Sequence, residues 1–548
     1  MLLPEVKKCK ILQEFSPSEQ LEFFGIKSKK TLHHIDTLYY SVFLNEDPDI
    51  VKLQRDNNLP DNLRYFLSVL YEAKKNCREF IGAENRFGDL TYTLKSFSIY
   101  EFCVSLPECF DIFVSNYIPT AETPRIVVQL RSRYLVLEGI KKAIEESLHY
   151  LREFLKPFGL FPMQVRENRI DYAFHTNLIQ NPDTYFDDNK LRKHLKTNLR
   201  TFSKYGSTKE FKVDTLNLGR RSSNSIFFRA YNKGREVIEM NYKSFFIERW
   251  AHEGLISQFD KYVYETAYNL RSFRSGILVG RLQWYIEHGR DDDLRDLCFD
   301  LLKSDYINSD NNDDIEKRIK NIIPEPTVIF NVEYQCKRKF FFTCENWIGY
   351  KLEVMNFVKA PDFCDPLLCN LLAIVYSSPE IVDYLTGFGN VVSFVKDRNV
   401  SLKTFIQQDK PYLQWWQLLR SASIDYVSDS EFIEFYRTYD VNASFKRTCT
   451  MFESNVAKLS MFLNNTTDER SFVEDISDVL CIFNDNDAYR YEFKLDFSKL
   501  IPDMQNHPRD LAAFNPFGYR QLRARRGRQI VGVLKKRNND NNKNDKTP

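Results

Sequence analysis
The sequence lacks any apolar run long enough to cross a bilayer, which excludes a membrane-spanning helix. It also lacks a surplus of one charge: 77 Lys and Arg stand against 75 Asp and Glu, for a net charge of +2. Whole-chain electrostatics therefore argue neither for nor against a polyanionic partner. Among eleven cysteines there is no C-x-x-C pair, and the spacing of Cys336, Cys344, Cys364 and Cys369 matches no common zinc pattern. Reduced thiols that serve as packing residues are expected. Met1-Leu2-Leu3-Pro4, followed at once by charged residues, reads as no secretory leader, so a cytoplasmic location is expected and no membrane partner. No internal repeat is visible.

What is there points to a soluble chain of two or three domains: 548 residues, 43% hydrophobic and 28% charged. Residues 1–30 read as a helical lead-in. Thr37 to Leu44 is rich in β-branched and aromatic residues, as a strand should be. Residues 50–85 read as helix, with Leu63, Phe66, Leu67, Leu70 and Tyr71 at helical spacing. Strands follow near 91–105, 110–116 and 125–131, then a helix over 139–156 with the stripe Ile140, Ile144, Leu148, Leu151 and Leu155. Val165 to Leu178 reads as a strand. Residues 211–218 and 225–232 form a hairpin about Gly219-Arg220-Arg221-Ser222-Ser223-Asn224. Helices and one further strand are expected up to about 289.

Strands in hairpin order mixed with helices predict an α+β fold, with a mostly antiparallel sheet flanked by helices and a largely helical C-terminal region. The expected units are 1–30, 31–303, a polar linker 304–325, a mixed and mainly helical domain 326–520 holding Trp415 and Trp416 in a core, and a tail 521–548. From Arg520 onward ten Lys or Arg, including Arg525 and Arg526, accompany two Asp. That run suits phosphate contacts, and it equally suits a solvated tail.

Three clusters carry candidate chemistry. Alternation along Arg169-Ile170-Asp171-Tyr172-Ala173-Phe174-His175 puts Ile170, Tyr172 and Phe174 on a core face and Arg169, Asp171, Ala173 and His175 on the other. Asp171 and His175 then flank the small Ala173, too wide for both to touch one cation directly but close enough through a bend or a water. In the second cluster Phe227, Arg229, Tyr231 and Lys233 share a face. A tyrosine between two cations can bind a phosphodiester beside its hydroxyl, and equally can shield the stems of Arg and Lys. Asp36, third, is expected on the face of Leu38, Tyr40, Val42 and Leu44, where a carboxylate is costly unless paired or metal-bound. The adjacent His33 and His34 point to opposite faces and are expected at the surface.

With these residues in view, Ile126 to Glu236 resembles the replication initiation factor family, which includes rolling-circle plasmid initiators and related relaxases of conjugative elements. The resemblance is carried by Val128-Gln129-Leu130-Arg131-Ser132, the 139–156 helix, Arg169-Ile170-Asp171-Tyr172-Ala173-Phe174-His175, Thr215 to Ser223, and Arg229-Ala230-Tyr231-Asn232-Lys233-Gly234-Arg235-Glu236. Asp36-Thr37-Leu38 resembles the family's opening strand. In all it spans about 34–290.

The resemblance implies a metal-dependent DNA strand transferase. Tyr231 would attack the scissile phosphate and stay joined to the 5′ end, with Lys233 and Arg229 steadying the phosphoryl charge. Asp171, Glu236, Asp36 and His175 would hold Mg2+ or Mn2+, with Glu236 alternatively accepting a proton. Arg169, Arg220, Arg221, Arg131, Arg525 and Arg526 would contact DNA, as an origin hairpin or a single strand. A helicase and a second copy of the chain are further partners this reading allows. The sequence departs from the family pattern at His175, where Asp is usual, at Asn232, where an acid is usual, and at Gln283 of Arg281-Leu282-Gln283, where Glu is usual. Imidazole at 175 shifts metal preference towards softer ions such as Mn2+. Two other readings fit the same residues: a DNA-binding protein of this fold with weak or no nicking, and an interaction protein whose DNA affinity ignores salt. No Arg…His-x-x-Arg…Tyr set lies in a helical region, which disfavours a tyrosine recombinase.

Overall fold
The computed structural model describes residues 9–422, apart from 26–28, 46–58, 80–84, 96, 98, 118, 120–123, 207–212, 223–224, 240–242, 271–272, 304–312, 342–364 and 409–410; beyond these it describes 452, 455–461 and 474–478. The chain divides into two compact units, 1–437 and 438–548. In the second, Ser460 Oγ donates to Asp475 at 2.6 Å, both groups buried. Everything below concerns the first unit.

Its strands are β1 (Thr31–Leu44), β2 (Arg86–Phe87), β3 (Leu90–Thr93), β4 (Phe102–Leu106), β5 (Phe110–Val114), β6 (Ile126–Leu130), β7 (Pro162–Thr176), β8 (Leu195–Thr197), β9 (Phe202–Gly206), β10 (Val213–Leu218), β11 (Ile226–Asn232), β12 (Phe330–Lys337) and β13 (Val392–Phe394). Eleven of them form one sheet in the order β2-β3-β4-β5-β6-β1-β7-β12-β11-β10-β9, while β8 pairs with β13. Every ladder in the large sheet is antiparallel. The α+β class follows from this sheet and its flanking helices. The expected strand over 91–105 is two strands, β3 and β4, and the helical stretch 244–288 contains no strand among its described residues.

One face of the sheet is largely apolar. Helix Asp61–Glu79 lays Leu63, Phe66, Leu67 and Leu70 on it, and helix Ile140–Leu155 adds Ile140, Ile144, Leu148, Leu151 and Leu155. Tyr71, expected on that stripe, is 43% exposed. Ile170, Tyr172 and Phe174 of β7 meet this layer, as alternation predicts. So do Leu371, Ile374, Leu385, Trp415 and Trp416 from the helices after residue 365. A second core joins the lead-in residues Ile11, Leu12 and Phe15 to helices Gln258–Asn269, Phe273–His288, Asp292–Lys303 and Asp313–Ile322. No helix among the described residues is long and apolar enough to cross a membrane.

Two expectations fail on long-range grounds. The boundary at 304–325 does not separate two domains. Helix Asp313–Ile322 lies within it, and the next strand, β12, inserts between β7 and β11 in the middle of the sheet. Strand order is fixed by pairing partners far apart in sequence, and nothing in the local pattern reveals it. Asp36 also leaves the face of Leu38. A register irregularity between Ile35 and Thr37 shifts the strand's phase, so Ile35 joins Leu38 in the core and Asp36 turns to the other side. Of the cysteines considered for a zinc set, Cys336 and Cys369 are in the core, and Cys344 and Cys364 lie outside the described residues.

The insertion of β12 has a direct consequence. A fragment ending at residue 325 lacks the strand that both β7 and β11 pair with, so we expect it to show no cooperative thermal transition by circular dichroism. A fragment melting as sharply as the full chain would contradict this topology.

Candidate active site
The sheet's polar face is built in rows. Direct partners across neighbouring strands face the same side, about 4.8 Å apart. One row runs Leu32, His175, Asn331, Tyr231; the next runs His34, Ala173, Glu333, Arg229; the third runs Thr37, Asp171, Gln335, Phe227. The strand β12 thus supplies the middle of every row. Its apolar residues Phe330, Val332, Tyr334 and Cys336 enter the core, while Asn331, Glu333 and Gln335 face the site.

Tyr231 sits near the end of β11, 7% exposed. Its hydroxyl accepts from Lys233 Nζ at 3.1 Å and from Asn331 Nδ2 at 3.0 Å. The Arg229 guanidinium lies 4.0 Å from the ring centre. Burial nevertheless raises the phenol well above its usual range, with Glu333 and Glu236 adding to the rise against the pull of Lys233 and Arg229. The neutral phenol is therefore the resting form. Lys233, buried at the first turn of helix Lys233–Glu239, also donates to Glu236 Oε2 at 2.8 Å. Glu236 accepts from Lys243 as well, at 3.1 Å, and the two lysines hold its carboxyl down at about 2 against the cost of burial.

A second group lies within the field of Lys233. His34, Asp36 and His175 each offer an atom within 4.8 Å of the others, an arrangement able to hold a metal ion. His34 Nε2 is 3.9 Å from Asp36 Oδ1, and the two imidazoles meet edge to face with ring centres 4.4 Å apart. Burial lowers both histidines, leaving them neutral, whereas Lys233, His34 and His175 hold Asp36 ionised despite its burial. Both nitrogens of His34, Asp36 Oδ1 and His175 Nε2 are buried without a hydrogen-bond partner. Such groups are rare in folded proteins, because each costs roughly 1–3 kcal/mol, and an ion would satisfy Asp36 Oδ1 and one nitrogen of His34 directly. The Trp250 indole donates to His175 Nδ1 at 3.0 Å, which places the ring's own proton on Nε2. His34 and Asp36 are thus ready donors. His175 becomes one only when that proton moves and the indole bond is given up.

Several expected roles change. His33 and His34 are buried, not surface residues: His33 stacks on Phe174 with ring centres 4.0 Å apart, and His34 enters the cluster. Asp171 and Glu236 stand outside that cluster. Asp171 pairs with Arg169, whose Nε donates to it at 2.8 Å, and accepts from Gln335 Nε2 at 3.4 Å. Burial pushes it up to about 6 against the pull of Arg169, with Glu333 and Asp36 adding to the rise. Arg229 donates to Glu333 Oε2 at 3.0 Å and Arg131 to Asp111 at 2.5 Å. Arg220 and Arg221 are exposed at the β10–β11 turn, Arg221 donating to Gln335 at 3.3 Å. Arg281 is buried in helix Phe273–His288, where it donates to the Ile323 carbonyl. Arg525 and Arg526 lie outside the described residues. The sequence reading missed His34, Asn331 and Glu333. The His34-x-Asp36 spacing was a usable signal for the first; β12 carried none, because its partners are distant.

No family model and no curated protein matches the chain. Among solved structures it is similar to one described as the rolling circle replication initiator protein from Geobacillus stearothermophilus, with 11% identity over 73% of this chain and 100% of that one, at a TM-score of 0.31. A similarity this remote carries no argument about the site.

The Arg229–Glu333 contact is the most exposed to test. Removing the guanidinium as Arg229→Met leaves a buried carboxylate without its cation. Loss of a partner from a fully buried pair costs about 3–5 kcal/mol. The Arg229 side chain is 32% exposed, so a smaller loss, about 2–3 kcal/mol, is expected in urea denaturation. An unchanged midpoint would mean the pair does not form.

Proposed function
We propose that this protein cleaves one strand of DNA by transesterification at Tyr231, with a divalent cation held at His34, Asp36 and His175. The observation that carries the reading is the cluster of unpartnered buried donor atoms on those three residues, next to a tyrosine whose hydroxyl already accepts from Lys233 and Asn331. The motif order along 126–236 supports the same reading through its resemblance to replication initiation factors.

In the proposed reaction the Tyr231 oxygen forms a bond to phosphorus, its proton leaves to solvent, and the bond from phosphorus to the 3′ oxygen breaks. The leaving oxygen takes a proton to become a 3′-hydroxyl, and the 5′ phosphate stays on the tyrosine. Lys233 and Arg229 place positive charge beside the phosphoryl group, the feature such transfers need most. A bound cation would add charge at the phosphate oxygens. Two imidazoles and one carboxylate suit Mn2+ better than Mg2+, which prefers an all-oxygen shell. Asp171 and Glu236, each neutralised by basic neighbours, position Arg169 and Lys233 in this scheme. A second reading, DNA binding without nicking, is favoured by the burial of Tyr231 and its raised pKa.

Two measurements separate these readings. Supercoiled DNA incubated with the protein and Mn2+ is expected to yield nicked circles carrying covalently attached protein on denaturing gels. Tyr231→Phe should leave no adduct while binding DNA as before. Protein that binds but never forms an adduct with either cation supports the second reading. For the metal, Mn2+ is expected to raise the melting temperature of the parent and of Asp171→Asn, and to leave Asp36→Asn unmoved. Equal shifts in all three would remove Asp36 from the metal site.

A further inference from the structure
A second strongly basic feature lies apart from this site. A cleft of about 620 Å³ opens between the segment 188–202 and the loop at 398–399, lined by Leu191, Arg192, Lys196, Arg200, Phe202 and Arg398, with Asp188 and Leu218. Among the described residues the one carboxylate in its lining, Asp188, is engaged by Lys204, which holds it below the usual carboxylate range. No ion pair is formed by Arg192, Lys196, Arg200 or Arg398 among the described residues. Lys196 Nζ donates to the Arg398 carbonyl at 2.9 Å and lies 4.9 Å from the Phe388 ring centre. Arg192, Arg200 and Arg398 are exposed, and Phe202 at the mouth is 63% exposed.

The cleft is not an extension of the Tyr231 site. Leu218 pairs with Phe228 and shares its core-side face, whereas Tyr231 and Arg229 point to the other side of β11. The cleft therefore opens at the β9 edge, on the opposite side of the sheet. Only β10 stands between β9 and β11, so β9 lies about 10 Å from β11. Cations left without carboxylates in one concave surface recognise a polyanion, and a bare aromatic ring beside them offers a base a stacking platform. Guanidinium groups fit phosphate oxygens in pairs.

We propose that this cleft binds the phosphate backbone of single-stranded nucleic acid, with Arg192, Arg200 and Arg398 contacting phosphates and Phe202 stacking a base. It would hold the strand where it wraps around the β9 edge of the sheet, two strands from β11. This rests on the DNA-binding part of the reading above and not on nicking.

The test uses the full chain as Tyr231→Phe, in EDTA, so that cleavage plays no part. Binding of a fluorescent single-stranded oligonucleotide is followed by anisotropy as salt is raised. Single strands lose affinity with a log–log slope of about 0.7 per phosphate neutralised. Arg192→Gln/Arg200→Gln/Arg398→Gln is expected to make the slope shallower by about 2, with an unchanged melting temperature. A control carrying Lys75→Gln, Lys156→Gln and Lys317→Gln, all exposed and away from the cleft, should keep the parental slope. Phe202→Ala should weaken binding about tenfold or more without altering the slope. Equal slopes for the cleft variant and the control overturn the proposal. So does one-site calorimetric binding of a mononucleotide or inorganic phosphate that is lost in the cleft variant while oligonucleotide affinity is unchanged.

Discussion

The candidate site depends on one ladder of hydrogen bonds. The strand β12 bonds to β7 along one edge and to β11 along the other. It therefore fixes how far the residues of β1 and β7 stand from those of β11. His175 and Tyr231 belong to one row only because Asn331 lies between them, and Ala173 and Arg229 are joined through Glu333 in the same way. The spacing is set by backbone geometry, which side-chain flexibility cannot alter. The antiparallel pairing also guarantees that all these residues share a face, since a slip of one position would send each of them into the core.

That polar face tolerates burial because most of its charge is matched locally. Arg169 meets Asp171, Arg229 meets Glu333, and Lys233 bridges Tyr231 and Glu236. Each pair offsets the cost of taking its members out of water. His34, Asp36 and His175 stand apart, since several of their polar atoms have no partner. They lie within 4.8 Å of one another, whereas other such atoms on this face, Arg229 Nε and Asn331 Oδ1, sit on residues that make other hydrogen bonds. The roof over it is aromatic. Phe246 and Trp250 both contact His175, and Lys233 lies 4.9 Å from the Phe246 ring centre. The low dielectric this creates strengthens the influence of Lys233 on Asp36.

Charge is distributed unevenly around this frame. On the Tyr231 face, positive groups are mostly engaged with carboxylates and serve to hold positions. At the β9 edge Arg192, Arg200 and Arg398 line a cleft without forming an ion pair among the described residues. Net charge near zero conceals this separation. It is visible only when each cation is assigned its partner, because attraction falls off within about a Debye length in physiological salt.

The sequence by itself determined the local alternation. It set Ile170, Tyr172 and Phe174 against Arg169, Asp171 and His175, the hairpin at Gly219, the stripe of helix Ile140–Leu155, and the placing of Arg229 and Tyr231 on one face of a strand. Period and turn chemistry are local properties, so a linear reading recovers them. Tertiary structure alone decided the rest. The irregularity after Ile35 reversed the facing of Asp36, because a bulge is a response to the partner strand and leaves no mark in the residues on either side. Burial of His33 and His34 followed from neighbours more than a hundred positions away on β7. The strand β12 became part of the site because its hydrogen-bonding edges were filled by strands that precede it by about a hundred residues or more, a choice made by the closing sheet and not by the octapeptide itself.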